Sequence, residues 1–438
     1  MRKRVSDFRY DSGQARIPWA AVGESVRRDE IANILQFLVR PAADRQQEYD
    51  AQLERVMAEV DALIEAGDLQ GKLALGNHVQ ALEQQVSKLL GCKYSLFVTN
   101  ATAGFEIGYK YAGLRPGDEV IAPAITFIAT IAYPLAIGAK VVLADVDPRT
   151  LNMDPEDVKR KVTPNTKVII PVHLGGYTVD MDPIMALAEE RDITVIEDAA
   201  HAFGGSYKGR MAGTIGHFGA FSFHEVKNIT SLGEGGILCT NLDFGQELSR
   251  ARFLGLDFSK QIPNWLYDVT ALNAKRGPMV AGNHSTTEIQ AVCLLSQMKR
   301  LKRIIAKREQ AAKYLDQRFR TVDGIIPAPL GDDQIKTTYH LYLLQIDPQK
   351  VGADSQQLKA KLDARGVVQI PHFAPLYKFE VMRQMGYDTA AIQATCPVAE
   401  EAFQHRFTHL PLYDFSREQL TYLADAVVES VQEMKAGR

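Results

Sequence analysis

The chain has 438 residues, 46% of them hydrophobic and 24% charged, an ordinary globular composition with more sequence than one small core can use. Its formal net charge of −3 excludes broad electrostatic attraction to nucleic acid or to an anionic membrane. Four cysteines, Cys92, Cys239, Cys293 and Cys396, stand far apart with no CxxC or Cys/His cluster, which argues against a structural zinc site and against a disulfide framework.

In chain order, the opening MRKRVSDFRYDSG is basic but has no apolar run behind it, so no signal peptide is expected. No window approaches the ~18 apolar residues of a membrane span, and the expectation is a cytoplasmic protein. Residues 25–68 are rich in Glu, Asp, Arg, Ala and Leu, with apolar residues at helical spacing in LERVMAEVDALIEAG; Pro41 interrupts the pattern, which predicts at least two packing helices. From residue 93 the texture changes to short β-rich runs: KYSLFVT, DEVIAPA, KVVLADVD, TKVIIPVHL, DITVIED and GAFSF. Helical stretches such as AGFEIGYKYAGL and MDPIMALAEERD alternate with several of them, predicting an α/β fold, a mostly parallel sheet with helices on both faces. The runs are nearly continuous in Val, Ile and Leu, as strands buried on both sides must be. A long charged helix is expected over 287–320. Beyond it HLYLLQID, SQQLKAKLDARGVVQI and REQLTYLADAVVESVQEMK predict a compact α+β unit.

Three stretches carry candidate chemistry. In VIEDAAHAFGG, 195–205, Asp198 ends a buried strand, at the edge where ligands of open α/β sheets sit; alone, such a carboxylate either caps the next helix or meets a charged ligand atom. In FVTNATAGFE, 97–106, a strand runs through small and hydroxyl residues into a helix, whose free N–H groups beside Thr102 suit a phosphate. In FSFHEVKNITSLGEGG, 221–236, Ser222 sits at a strand end, Lys227 follows five residues later, and GEGG permits a tight turn. A lysine in an arbitrary loop is a solvated charge. With a phosphate cradle and a strand-end aspartate in the same chain it reads differently. An amine for a Schiff base, an acid against a pyridine nitrogen, phosphate donors and a flat surface to stack on are together what pyridoxal 5′-phosphate (PLP) requires.

The order of GDEVIAPAITFIAT, PVHLGGYTVDMDPI, VIEDAAHAFGGSYKG, FSFHEVKNITSLGEGG and HLPLY resembles the DegT/DnrJ/EryC1/StrS family of PLP-dependent sugar aminotransferases, over about Gly71 to Tyr413. The resemblance implies a fold-type I transferase: an N-terminal helical extension (1–70), a large PLP-binding domain with a mostly parallel seven-stranded sheet (71–310), and a smaller α+β C-terminal domain (311–438). By position it implies Lys227 as the Schiff-base lysine and Asp198 as the partner of the pyridine nitrogen. His201 falls near the ring hydroxyl, Phe127 against the ring face, and Ala101, Thr102 and Ser222 at the phosphate. Asn283 in GNHSTTEIQA matches an asparagine that a neighbouring subunit supplies, which implies a homodimer with shared active sites. His224 and His372 read as structural or supporting residues, and Glu234 as fixing its loop.

The activity so implied moves an amino group from glutamate or glutamine to a keto sugar, and FSFHEVKN is closest to members acting on nucleotide-linked 4-keto sugars. A keto-cyclitol acceptor, other PLP chemistry and a non-catalytic regulatory homologue are the competing readings. Related proteins with histidine in place of the lysine are dehydratases, so Lys227 favours amino transfer. Three departures stand out: Gly175 where an aromatic residue is common, which predicts a more open sugar pocket; GNHST in place of YNYRM, with Ser285 for arginine; and the extra segment TALNAKRGPMVA, expected as a loop over or near the active site.

Overall fold

The computed structural model describes residues 26–67, 73–256, 269–370 and 372–437. The opening MRKRVSDFRYDSG, the boundary at 70/71 and most of FLGLDFSKQIPNWLYDV lie outside the described residues. The chain divides into two compact units, residues 1–78 with 287–289, and residues 79–286 with 290–438.

In the first unit the periodic pattern forms α1 (Arg28–Leu38) and α2 (Gln46–Ala66), with the break at Pro41 where the sequence predicts it. Arg28 Nε donates to Asp61 Oδ2 at 3.0 Å across the pair. The packing is thin: α1 buries no residue and α2 only Met57, while Phe37, Leu38 and Leu63 are exposed. At the start of α3 (Asn77–Leu90), Glu288 accepts the N–H groups of Gly76 at 2.7 Å and His78 at 2.9 Å, which satisfies donors that the first helical turn leaves open.

The second unit is built on a seven-stranded sheet of β1 (Tyr94–Val98), β2 (Glu119–Pro123), β3 (Lys140–Ala144), β4 (Thr166–Ile169), β5 (Thr194–Asp198), β6 (Phe218–Ser222) and β7 (Gly236–Thr240), in the order β1-β7-β6-β5-β4-β2-β3. Only β7 runs antiparallel to its neighbours, so the sheet is mostly parallel as predicted. Every residue of β2, β5 and β7 is buried, which is why those runs read as continuous apolar sequence. The helices α4 (Ala101–Tyr111) and α5 (Ala129–Ala136) follow β1 and β2. Ile107, Ile131, Val120, Ile196 and Phe218 join one core that closes a face of the sheet.

The expected single helix over 287–320 is two, α6 (Glu288–Met298) and α7 (Leu301–Phe319), with Arg300 N–H closing a turn onto Gln297 O at 2.9 Å. A shared charge texture hid the break. Towards the C-terminus β8 (Leu341–Ile346) pairs antiparallel with β9 (Phe407–Pro411), setting Leu343 opposite His409. The helices α8 (Ser355–Ala364) and α9 (Arg417–Ala436) enclose a second core with Leu344, Ile346, Leu362 and Val427. Both begin with a capping box, Asp354 with Gln357 and Ser416 with Gln419.

Candidate active site

Because β1, β2, β5 and β6 point the same way, their carboxyl ends open on one edge of the sheet, the edge at which α/β proteins bind ligands. A cavity of about 900 Å3 lies there. Ala101, Thr102, Phe127, Asp198, His201, Ser222 and Lys227 all line it. Residues up to 126 apart in sequence, from Ala101 to Lys227, are therefore brought together by four strand ends. Asn283 does not line the cavity. It is exposed, bridges to Phe253 through the backbone, and its Oδ1 accepts from Ser285 N–H at 3.2 Å and Ser285 Oγ at 2.8 Å.

Asp198 is the last residue of β5 and is 5% exposed. Its Oδ2 accepts from Thr130 Oγ1 at 2.8 Å, which in turn sits 2.9 Å from Thr126 Oγ1, and its Oδ1 accepts from Ala200 N–H at 3.2 Å. Tyr109, wholly buried, holds this turn by donating to Thr130 O at 2.6 Å. Burial pushes the carboxyl upward; the two donors and the positive charge of Lys227 pull it back toward the ionised form. Lys227 follows β6 in a turn closed by its own N–H onto His224 O at 2.9 Å. Burial brings its ammonium down to about 8, and the attraction of Asp198 offsets only part of that. A lysine solvated in a surface loop would show neither effect.

The N-terminus of α4 opens on the same cavity. Asn100 caps it, its side chain accepting from Ala103 N–H at 3.0 Å. Among the described residues no protein acceptor meets the N–H of Ala101 or Thr102, so two oriented donors stand beside the Ser222 hydroxyl. Gly236 makes this cradle possible: a Cβ there would sit 2.3 Å from the Asn100 carbonyl carbon and 2.6 Å from Ala101 N. Phe127, in contrast, is 56% exposed on the cavity wall, an aromatic face that no protein group covers.

Four histidines form much of the remaining wall. The His201 and His340 rings stack at 4.3 Å, and Phe373 lies 5.9 Å from both His201 and His409, with His372 5.1 Å from Phe373. Gly175 N–H donates to His201 Nδ1 at 3.3 Å, leaving the proton on Nε2. Asn228 gives its amide N–H to Thr338 O at 2.9 Å, so its Oδ1 accepts from His340 Nδ1 at 3.0 Å. Burial holds His201 and His340 well below the usual imidazole range and brings His409 to about 4, so this wall is neutral at physiological pH. No group of three or more His, Cys, Asp or Glu among the described residues is arranged to hold a metal ion.

Sequence reasoning missed several residues of the site. Thr130, buried behind the cavity wall where it donates to Asp198, had a local signal, its i, i+4 spacing from Thr126 in TFIAT on the strand-to-helix turn. Arg308, His340 and His409 had none, because α7, the turn before β8, and β9 reach the cavity only through the fold. His224, His372 and Glu234 all line it, and His224 Nε2 lies 3.7 Å from Glu234 Oε1.

Two departures read differently in the structure. Gly175 takes a φ of 63° and does not line the cavity; a Cβ would meet Leu343 at 3.1 Å, so its smallness serves packing rather than a more open pocket. The segment TALNAKRGPMVA is not a loop over the site. It forms a hairpin, Leu272–Ala274 with Gly277–Met279, that docks on the C-terminal end of α4: Lys275 N–H donates to Tyr111 O at 2.9 Å and Arg115 Nη2 to Arg276 O at 2.8 Å. A tight two-residue connection makes a hairpin self-supporting, and its anchors are Tyr111, the last residue of α4, and Arg115 just beyond it.

Comparison with known proteins agrees with this geometry. The model of the DegT/DnrJ/EryC1/StrS aminotransferase family matches residues 54–428. The chain is 35% identical to the spore coat polysaccharide biosynthesis protein SpsC of Bacillus subtilis, over 84% of this chain and 92% of that one. It is 31% identical to the GDP-perosamine synthase of Caulobacter vibrioides, over 78% and 88% of the two chains. Among solved structures, the PLP form of a Streptococcus pneumoniae protein described as a sugar aminotransferase superposes with a TM-score of 0.73 at 26% identity, covering 86% of this chain and 96% of that one. The fold is thus that of the fold-type I enzymes, and the cofactor of these proteins is PLP.

Proposed function

Because this chain belongs to the DegT/DnrJ/EryC1/StrS aminotransferase family, we propose that it transfers an amino group from glutamate or glutamine to a nucleotide-linked keto sugar, for a cell-surface or secreted glycan or an antibiotic. The observation that carries the reading is that Lys227 and Asp198 line one cavity, each feeling the other's charge, at the carboxyl ends of adjacent strands.

The residues present suit PLP on four counts. The free N–H groups of Ala101 and Thr102 with Ser222 would hold its phosphate, in the cradle that Gly236 keeps open. Asp198 would meet its ring nitrogen, Phe127 would cover a ring face, and His201 with its proton on Nε2 would approach the ring hydroxyl. When bound, PLP supplies a carbon that can take up and give back the amino group, and a ring that stores the electrons between.

The protein's own part is proton handling and orientation. Lys227, brought to about 8 by burial, is a free amine in a useful fraction near neutral pH, so it can lift a proton from the donor Cα and return one later. Asp198, steadied by Thr130 and Ala200, favours a positive charge opposite it. The neutral histidine wall adds no competing charge. Residues 71–310 would form the cofactor-binding domain and 311–438 the smaller one. Asn283, exposed outside its own chain's cavity, would be presented to a second copy, making the working unit a dimer. No helix among the described residues is long and apolar enough to cross a membrane, in keeping with a cytoplasmic enzyme.

The test is direct. Full-length protein loaded with PLP is bleached with glutamate or glutamine, then offered nucleotide-linked 4-keto sugars and free keto-cyclitols. Return of the yellow colour with a nucleotide sugar supports the reading. Return only with a keto-cyclitol overturns the acceptor, and failure to bleach with either donor overturns amino transfer.

A further inference from the structure

Arg308 on α7 lines the same cavity, a second cationic side chain besides Lys227. Its Nη1 donates to Tyr339 O at 3.4 Å and His340 O at 3.2 Å, bracing a turn in which Tyr339 takes a φ of 50°. Among the described residues its Nη2 and Nε meet no protein acceptor and no carboxylate pairs with it; the acids lining the cavity are Asp198, Glu225 and Glu234. Burial holds its guanidinium down to about 10 with no counter-charge to offset it. An arginine confined in this way presents a planar fork of free donors, and the ligand chemistry that fits such a fork is an oxyanion, best a carboxylate.

We propose that Arg308 anchors a carboxylate of the amino donor. This rests on the aminotransferase reading and adds the residue that recognises the donor. The placement argues for the donor rather than for a phosphate of the acceptor. Lys227 and Arg308 both act electrostatically on His340, whose carbonyl takes the Arg308 hydrogen bond and whose ring lies against His201. The arginine thus braces the histidine wall of the cavity that Lys227 also lines, and an α-carboxylate is one bond from the carbon that gives up its proton. A nucleotide's phosphates lie at the far end of the acceptor from its keto carbon. The free fork also accounts for a cavity that holds a lone permanent cation besides the lysine, walled by neutral histidines.

The test uses PLP-loaded, full-length enzyme and maleate, a dicarboxylate without an amine, with calorimetry as the readout. Arg308→Gln is expected to weaken maleate at least tenfold and to raise KM for glutamate about as much, with KM for the acceptor unchanged; Arg308→Lys should recover part of both losses. Orthophosphate is titrated in parallel. If Arg308→Gln loses orthophosphate and keeps maleate, the anchor serves a phosphate and the proposal fails. Should the Gln variant not fold, the wild-type enzyme answers: phenylglyoxal should modify Arg308, followed by peptide mass spectrometry, and maleate but not its neutral diamide should protect it. Equal modification with and without maleate overturns the proposal. The two readings fail separately. An enzyme that transfers amino groups with unchanged KM in Arg308→Gln loses only the anchor, whereas maleate binding that depends on Arg308 in a protein that never bleaches with glutamate or glutamine loses only the amino-transfer assignment.

Discussion

The two ends of α4 have opposite occupations. At the N-terminal end Asn100 satisfies one donor and leaves the N–H groups of Ala101 and Thr102 open to the cavity, while Gly236 keeps β7 from crowding them. At the C-terminal end everything is closed: Gly113, at a φ of 64°, admits Arg276 so closely that a Cβ would sit 2.5 Å from the arginine's own, and Arg276 Nη1 pairs with Asp118 at 2.5 Å. One end keeps unmet hydrogen-bonding capacity for a ligand and the other spends all of it on the fold. The lesson is that an extra segment in the chain need not attend the chemistry; it goes where a helix has carbonyls to cover.

This contrast can be broken at either end. The largest effect should come from Lys227→Ala, which removes the proposed proton carrier and should cut turnover by about 10²–10⁴, measured as amino transfer at saturating donor. Wild-type turnover would remove Lys227 from the chemistry. Asp198→Asn should follow at about 10²–10³, since it withdraws the negative charge from a desolvated site; spectral titration with PLP would show whether binding survives while turnover falls. The pH dependence is next. In the proposed role Lys227 reacts as the neutral amine, whose fraction grows as pH rises through about 8 rather than through the ~10.4 of an ordinary lysine. Capture of PLP by cofactor-free protein should therefore speed up about tenfold per unit below that midpoint, and a midpoint near 10 would contradict the burial argument.

Smaller still is Gly236→Ala, whose Cβ would strike the Asn100–Ala101 backbone; PLP affinity should drop about tenfold (roughly 1.4 kcal/mol), read by equilibrium dialysis. Its counterpart sharpens the comparison. Gly113→Ala at the closed end should lower stability by about 1–3 kcal/mol in urea unfolding yet leave turnover of the folded protein unchanged. A loss of turnover there would mean the two ends are not independent.

Much of this was legible in the sequence for a physical reason. Strands buried on both faces write themselves as apolar runs, and the residues at strand ends follow those runs directly, so the place of Asp198, Ser222 and Lys227 at the cavity could be read from position. The cradle residues Ala101 and Thr102 were legible because a strand, a short polar turn and a helix are contiguous. What stayed hidden depends on the fold's long connections. Arg308 reads as one of many charges on α7, and His340 and His409 as polar residues flanking or within strands, until β8 and β9 bring them to the wall. The break between α6 and α7 was hidden because both flanks have the same charged texture. The hairpin at 272–279 was visible as an insertion, but its docking face was not, since Tyr111 and Arg115 lie far upstream.

Strand β5 ends in two adjacent acids, and successive side chains of a strand leave on opposite sides. Glu197 turns into the interior, where it accepts the N–H groups of Gly213, Ile215 and Gly216 at 2.8, 2.6 and 2.6 Å and takes a hydrogen bond from His173 at 2.9 Å. Deleting one residue upstream in β5 would exchange the pair, sending the clamp outward and leaving a shorter acid to reach for those amides. The spelling of that strand is therefore frozen by parity: a substitution among its apolar letters can be absorbed, whereas a frameshift of one would dismantle the loop and disarm the site together.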